Sequence, residues 1–230
     1  MRIAFVFDMD GVLFDSHPLH RRAWQELFRA AGKEVSDVEL DFVLEGATRG
    51  EILNHFLGPL TPQQTALYAR QKDAIFRQQE VQVQAIEGLE VFLDLIESTA
   101  IPMAIATSAS RVRATRMLES HDLADHFAAV VTGDDVPGGK SGPAIFLRAA
   151  EQLRARPCEV LVIEDAIAAV KVVKQVGMKC IGVAAENRGP RLVEAGADLV
   201  VPNFVHLGLS DVMGLFQDSA ADALSFPNLG

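Results

Sequence analysis

The feature that most constrains the fold is a series of short, almost wholly apolar runs spaced along the chain. Ile3 to Phe7 reads Ile-Ala-Phe-Val-Phe and ends at Asp8. Pro102 to Ala106, Val160 to Ile163 and Cys180 to Ala184 repeat the pattern, and Ala128 to Val131 and Asp198 to Val201 are weaker members of the series. A short run without polar alternation suits a strand covered on both faces. Between the runs, Glu87 to Ser98, Ser110 to Ser120, Pro143 to Leu153 and Ala166 to Gln175 carry apolar residues at helical spacing. Strands alternating with helices predict an α/β fold with a doubly wound parallel sheet.

The stretch 16–84 breaks this alternation. It holds helix signals and no convincing strand. Ser16 with Pro18 marks a helix start, since proline is tolerated where the amide would be unpaired. Ser36-Asp37-Val38-Glu39 and Thr61-Pro62-Gln63-Gln64 are capping-box patterns, and Gly58-Pro59 separates two helices. The expected organisation is a core of 1–15 and 85–217, an all-helical insert of 16–84 placed after the first strand, and a loosely ordered tail of 218–230, which is small and polar in character.

Charge narrows the partners. The formal net charge is −10, which repels a nucleic-acid backbone and an anionic membrane surface. No apolar stretch is long enough to span a bilayer, and the N-terminus lacks a signal-peptide pattern. The two cysteines, Cys158 and Cys180, have neither metal-ligand spacing nor a disulfide framework, as suits reduced thiols in a cytoplasmic protein. A monomer is expected.

The chemistry lies in where polar residues fall. Asp8-Met9-Asp10-Gly11 follows the first strand, Thr107-Ser108 ends the second, and Glu164-Asp165 ends the Val160 strand. Three strands thus deliver acids or hydroxyls to the C-terminal edge, where open α/β sheets bind ligands. Asp8, Asp10, Glu164 and Asp165 would repel one another unless a cation neutralised them, and oxygen-only ligands that also hold phosphate point to Mg²⁺. A carboxylate can act as a nucleophile and form an acyl-phosphate. A second one beside it can give and take protons. Thr107 or Ser108 offers a hydroxyl, amides around Ala109 and Ser110 face an anion, and Lys140 in Gly-Gly-Lys-Ser-Gly adds a cation.

Asp-x-Asp-Gly-Val, a strand ending in Thr-Ser, a loop lysine and then Glu-Asp together resemble the haloacid dehalogenase (HAD) superfamily over about residues 1 to 205. The early helical insert looks like that superfamily's first type of cap. His20, Trp24, Gly46-Ala47-Thr48-Arg49, Lys72 and Thr107-Ser108-Ala109-Ser110-Arg111 are most similar to the β-phosphoglucomutase-like group. The resemblance implies a Rossmannoid core and phosphoryl transfer through an aspartyl-phosphate on a small sugar phosphate, by a phosphatase or a phosphomutase. It makes Asp8 the nucleophile and Asp10 the general acid/base. Mg²⁺ falls to Asp8, the Asp10 carbonyl, Glu164 and Asp165. Ser108, Ala109 and Lys140, with Thr107 beside them, hold the transferring group. Arg49 holds a second phosphate, and His20 and Lys72 meet the substrate from the cap.

Three positions depart from the family pattern, one of them Ala169, where relatives carry glycine. Ala144 stands where relatives carry an acid, and Ala166 stands where they carry serine. Each residue also has a bland reading: Asp165 as a helix cap, Lys140 and Arg49 as solvated cations, His20 and Lys72 on a solvated helix face, Trp24 as packing, and Arg111, Arg113 and Arg116 as surface charge. A dehalogenase does not need Asp10. A phosphonate C–P hydrolase needs a cap lysine in an apolar setting, which the sequence marks at neither Lys33 nor Lys72. A binding or regulatory protein that kept the fold is the alternative from a different class.

Overall fold

The computed structural model describes residues 3–222 except 46, 81–82, 137–141 and 186. Six strands, β1 (Ala4–Phe7), β2 (Met103–Thr107), β3 (Ala129–Thr132), β4 (Val160–Glu164), β5 (Lys179–Val183) and β6 (Leu199–Val201), form one sheet in the order β3-β2-β1-β4-β5-β6, with every pairing parallel. All six lie on the runs read from the sequence. The chain starts in the middle, winds outward to β3, then returns to β4 and winds the other way. The order therefore reverses between β1 and β4, and a crevice opens there beyond the carboxyl ends of the strands.

Both faces of the sheet are covered, which is why its strands are apolar throughout. Phe5 and Phe7 of β1 point to one face with Met103, Ile105, Leu161 and Ile163. Ala4 and Val6 point to the other with Ala104, Ala106, Val160 and Val162. Helices α4 (Leu89–Glu97), α5 (Arg111–Ser120) and α9 (Leu209–Asp222) pack on the first face, where Phe92 meets Phe5 edge-on at 6.0 Å. Helices α6 (Ala144–Gln152), α7 (Ile167–Gln175) and α8 (Gly189–Glu194) cover the second. α9 runs across the expected end of the core at 217, and residues 223–230 of the expected tail lie outside the described residues.

The insert holds α1 (His17–Ala30), a 3-10 turn over Glu39–Glu45, α2 (Arg49–Leu57) and α3 (Pro62–Gln79). Its own apolar cluster gathers Trp24, Leu27, Phe28, Leu40, Ile52, Leu53 and Phe56. Thr61 forms the expected capping box with Gln64, and Thr48 forms another with Glu51 at the start of α2. The Ser36–Glu39 box is also made, but the helix that follows it is the 3-10 turn rather than an α-helix. The insert's two connections pair with each other: Asp15 N donates to Gln84 O at 2.9 Å and Ile86 N to Leu13 O at 2.9 Å, around an antiparallel bridge between Phe14 and Ala85. Among the described residues no helix is long and apolar enough to cross a membrane.

Candidate active site

Register brings the acids together. Phe7 pairs with Ile163, so Asp8 and Glu164 stand side by side at the reversal point, and Asp8 N donates to Ile163 O at 2.9 Å. Asp8, Glu164 and Asp165 are buried, and one carboxylate oxygen from each lies within 4.8 Å of the others. Like charges packed this closely in a buried setting repel unless neutralised. The set is all oxygen, compact and anionic, which fits a hard divalent cation of the Mg²⁺ class.

The acids are held from several directions. Glu164 Oε1 accepts from the amides of Asp165 (3.2 Å) and Ala166 (3.0 Å), which tightens the turn that leads into α7, whose N-cap residue Ala166 has no capping side chain. Asp165 is not the cap that its position suggested. Its Oδ2 lies 2.6 Å from His17 Nε2 and 3.6 Å from Arg188 Nη1, and its carbonyl accepts from Arg188 Nη2 at 3.0 Å. Burial alone would lower the His17 pKa, but the Asp165 charge and hydrogen bond outweigh it and hold the imidazole above its ordinary value. Gly11 fits between them. Its φ is +78°, and a Cβ there would overlap His17 Nε2 and lie 2.7 Å from Asp165 Oδ2.

Asp10 turns its carboxylate away from this trio. Oδ1 accepts from Ser16 Oγ at 2.7 Å and Arg113 Nη1 at 2.9 Å, with His20 Nε2 at 3.2 Å, and Oδ2 accepts from Arg113 Nη2 at 2.5 Å. Burial by itself would raise the Asp10 pKa, but the guanidinium and His20 hold it well below the usual carboxylate range. His20 Nδ1 faces Lys72 Nζ at 2.5 Å. Burial and the Lys72 charge push the imidazole down to about 3, so His20 is neutral, with Nδ1 accepting from Lys72 and Nε2–H turned toward Asp10. Lys72 is buried over the rings of Phe76 (4.9 Å) and Trp24 (5.5 Å), and burial pushes its amine down to about 7. Neither residue lies on a solvated face. Lys72 also has the apolar setting that the sequence did not mark.

These groups line one cavity of about 550 Å³, with Ser108 and Ser110 on the core side and Trp24, Val43, Ile52 and Arg49 on the insert side. Thr107 is buried and is not among the lining residues; its Oγ1 instead accepts from the Ala109 amide at 3.1 Å. That amide, expected to face an anion, is turned to the strand end in this geometry. Arg49, the first residue of α2, is half-exposed and donates to Asp73 Oδ2 at 2.9 Å. Arg111 is tied to β3 and the loop after it, its amide to Asp134 and its guanidinium to Asp135 and Val130 O. Lys140 and Gly46 lie outside the described residues.

Comparison with known proteins places this arrangement. The family model for haloacid dehalogenase-like hydrolases matches residues 5–183. The chain belongs to the haloacid dehalogenase-like hydrolases. It is 32% identical over 91% of its length to a phosphorylated carbohydrates phosphatase of Thermotoga maritima, covering 99% of that protein. It is 32% identical over 86% of its length to hexitol phosphatase A of Escherichia coli, covering 89% of that protein. In fold it resembles the crystal structure of β-phosphoglucomutase from Clostridium difficile, with a TM-score of 0.83 at 23% identity over 96% of this chain and 100% of that one. It is an enzyme of the HAD family, related to its β-phosphoglucomutase/phosphatase branch, and its general activity is that family's phosphoryl transfer.

For a HAD-like chain, three site residues escaped the sequence reading. His17 had a usable signal: with His20 it forms an i, i+3 pair just after the acidic loop, which places both imidazoles on one face of α1. Arg113 had one too. The buried face of α5 is Arg113, Ala114, Met117 and Leu118, so Arg113 occupies an apolar position, whereas Arg111 lies off that face. Arg188 sits in the loop before α8 and carries no local mark that would assign it to Asp165.

Proposed function

We propose that the chain is a Mg²⁺-dependent phosphatase for a small sugar phosphate, with Asp8 as the nucleophile. The observation that carries this reading is the buried Asp8–Glu164–Asp165 cluster at the floor of a cavity roofed by the helical insert. The cavity volume suits a ligand of sugar-phosphate size. The two relatives at 32% identity, named for carbohydrate and hexitol phosphates, support that substrate class.

Asp8, Glu164, Asp165 and the Asp10 carbonyl would hold Mg²⁺, which would supply positive charge to offset that of the transferring phosphoryl group. The protein groups do the rest. Asp8 attacks phosphorus, and the bond to the leaving oxygen breaks as Asp10 gives that oxygen a proton. Water then attacks the aspartyl-phosphate and passes its proton to Asp10. The Asp8–phosphorus bond breaks and inorganic phosphate departs. Asp10 is ionised in the resting site, ready for the base half of this cycle. A dianionic phosphoryl group arriving beside it favours its protonation for the acid half. Ser108 and Lys140 are the proposed contacts of the transferring group, the Ala109 amide would join them only on leaving Thr107 Oγ1, and residues 16–84 act as a cap hinged at the Phe14–Ala85 bridge.

A phosphomutase reading draws on Arg49, which lines the same cavity from the cap and has the planar fork that holds a second phosphate. One screen tests both readings. A panel of hexose, pentose and hexitol phosphates is assayed for phosphate release and for isomerisation, with Mg²⁺ and after chelation. Phosphate release from a sugar phosphate, absent in chelator and restored by Mg²⁺, is expected. Isomerisation that needs Arg49 would move the assignment to a mutase. Full activity in metal-free buffer, or wild-type turnover in Asp8→Asn, would overturn the mechanism.

A further inference from the structure

The grip on Asp10 is uneven in origin. Ser16 and His20 belong to the segment 16–84, whereas Arg113 belongs to α5 of the core. Among the described residues Arg113 is also the one donor that engages both carboxylate oxygens, Nη1 to Oδ1 and Nη2 to Oδ2. Its guanidinium is buried and lies 5.2 Å from the ring of Phe76 on α3. Its Nε has no hydrogen-bond partner among the described residues, so the hydrogen bonds seen for this side chain all go to Asp10. An arginine placed only to fill the α5 face would not need that aim. Both residues line the catalytic cavity.

An aspartate needs such a hold. Its terminal torsion joins sp³ to sp² carbon and is broad, so a single donor leaves the carboxylate free to swing about its axis. A guanidinium fork fixes the plane as well as the position, and a lysine ammonium does not. We infer that Arg113 is the positioning residue of the reaction: it sets the plane of the Asp10 carboxylate from the core side, so that Asp10 stays aimed at the leaving and attacking oxygens when the cap swings away with His20. This rests on the reading of Asp10 as the general acid/base.

The test compares 4-nitrophenyl phosphate, whose leaving group needs little protonation, with benzyl phosphate, whose leaving group needs it. The proteins are wild type, Arg113→Gln, Arg113→Lys, Asp10→Asn and the Arg113→Gln/Asp10→Asn double variant, each with folding checked by circular dichroism. A misaimed acid costs on the order of a hundredfold. Arg113→Gln should therefore lose about that much kcat on benzyl phosphate and only a few-fold on the nitrophenyl ester, with KM nearly unchanged on both. Arg113→Lys, which keeps the charge and serves if the glutamine variant does not fold, should fall between wild type and Arg113→Gln on benzyl phosphate. The double variant should be no worse than Asp10→Asn, because Arg113 acts only through Asp10. Equal losses on both esters, a rise in KM with kcat intact, or additive losses in the double variant would overturn the positioning role while leaving Asp10 as acid/base. If Asp10→Asn itself does not discriminate between the esters, the acid/base reading falls and this inference falls with it.

Discussion

Gly11→Ala is the smallest change that probes the acidic edge. The backbone at Gly11 has a φ of +78°, where a Cβ costs about 1–2 kcal/mol. The added methyl also enters the gap occupied by His17 Nε2 and Asp165 Oδ2, which are 2.6 Å apart. Neither atom is the loose end of a long chain. His17 is at the first turn of α1, and Asp165 is held by Arg188 as well. Making room therefore breaks the His17–Asp165 hydrogen bond, a charged contact worth about 1.5–3 kcal/mol. The expected loss is about 2.5–5 kcal/mol in urea unfolding followed by circular dichroism, with a weaker Mg²⁺ requirement curve because Asp165 is displaced. Gly11→Ala combined with His17→Ala should regain part of the loss, since the nearest clash is removed while the φ penalty stays. A loss below about 1 kcal/mol with unchanged turnover would refute the reasoning, because it would mean that the turn and the ion pair both yield freely.

Asp8→Asn should abolish nearly all turnover yet raise the thermal midpoint in chelator above that of wild type, because it removes one charge from the crowded trio; a lower midpoint would argue that repulsion there is unimportant. Lys72 titrates near 7 in the fold against 10.5 when free, so between those values the unfolded chain binds more protons. Wild-type stability should therefore gain from this group as pH rises from 7 toward 10, with the penalty fully present below 7. Lys72→Met should flatten that slope in unfolding measured at pH 7 and pH 9, and an unchanged slope would count against the burial argument. Arg116 grips the buried Glu80 with two hydrogen bonds of 2.6 and 2.9 Å between α5 and the end of α3. Arg116→Ala should cost about 1–3 kcal/mol, and adding Glu80→Gln should recover part of it because the stranded charge is gone; no recovery would mean that the pair packs rather than balances charge.

The sheet was legible because its chemistry is local and monotonous. A strand buried on both faces is written as a run of Val, Ile, Phe and Ala, and the residue after the run is at the functional edge. The first two residues past three of these runs include Asp8, Ser108, Glu164 and Asp165, all of which line the cavity. What the sequence hid were contacts made across elements. Lys72 sits in a helix with Arg70 and Asp73 as neighbours, and periodicity alone assigns it to solvent; only the packing of α3 on α1 turns it onto Trp24 and His20. Ser16 has the right residue type for a helix cap, yet its hydroxyl goes to Asp10 and leaves α1 without a side-chain cap. In both cases a local rule lost to a long-range partner, which is the failure expected at a functional site.

The same contrast bears on how the two carboxylates of one short motif take different parts. Asp8 and Asp10 both lie beyond the end of β1; residues two apart would share a face if the strand ran on, but the chain turns there, with Leu13 N and Phe14 N both donating to Met9 O, and the two carboxylates meet different surroundings. Asp8 joins Glu164 and Asp165 in a compact cluster of three buried acids, the arrangement that fits a hard divalent cation. Asp10 meets Arg113, Ser16 and His20, a setting already balanced within the protein. On the proposed mechanism the nucleophile Asp8 works in the first environment and the proton donor and acceptor Asp10 in the second. The donors around Asp10 thus separate two otherwise identical carboxylates: Arg113 comes from α5, Ser16 and His20 from the start of the insert, and Lys72 of α3 holds His20, so the distinction depends on the insert and the core closing on the same cavity.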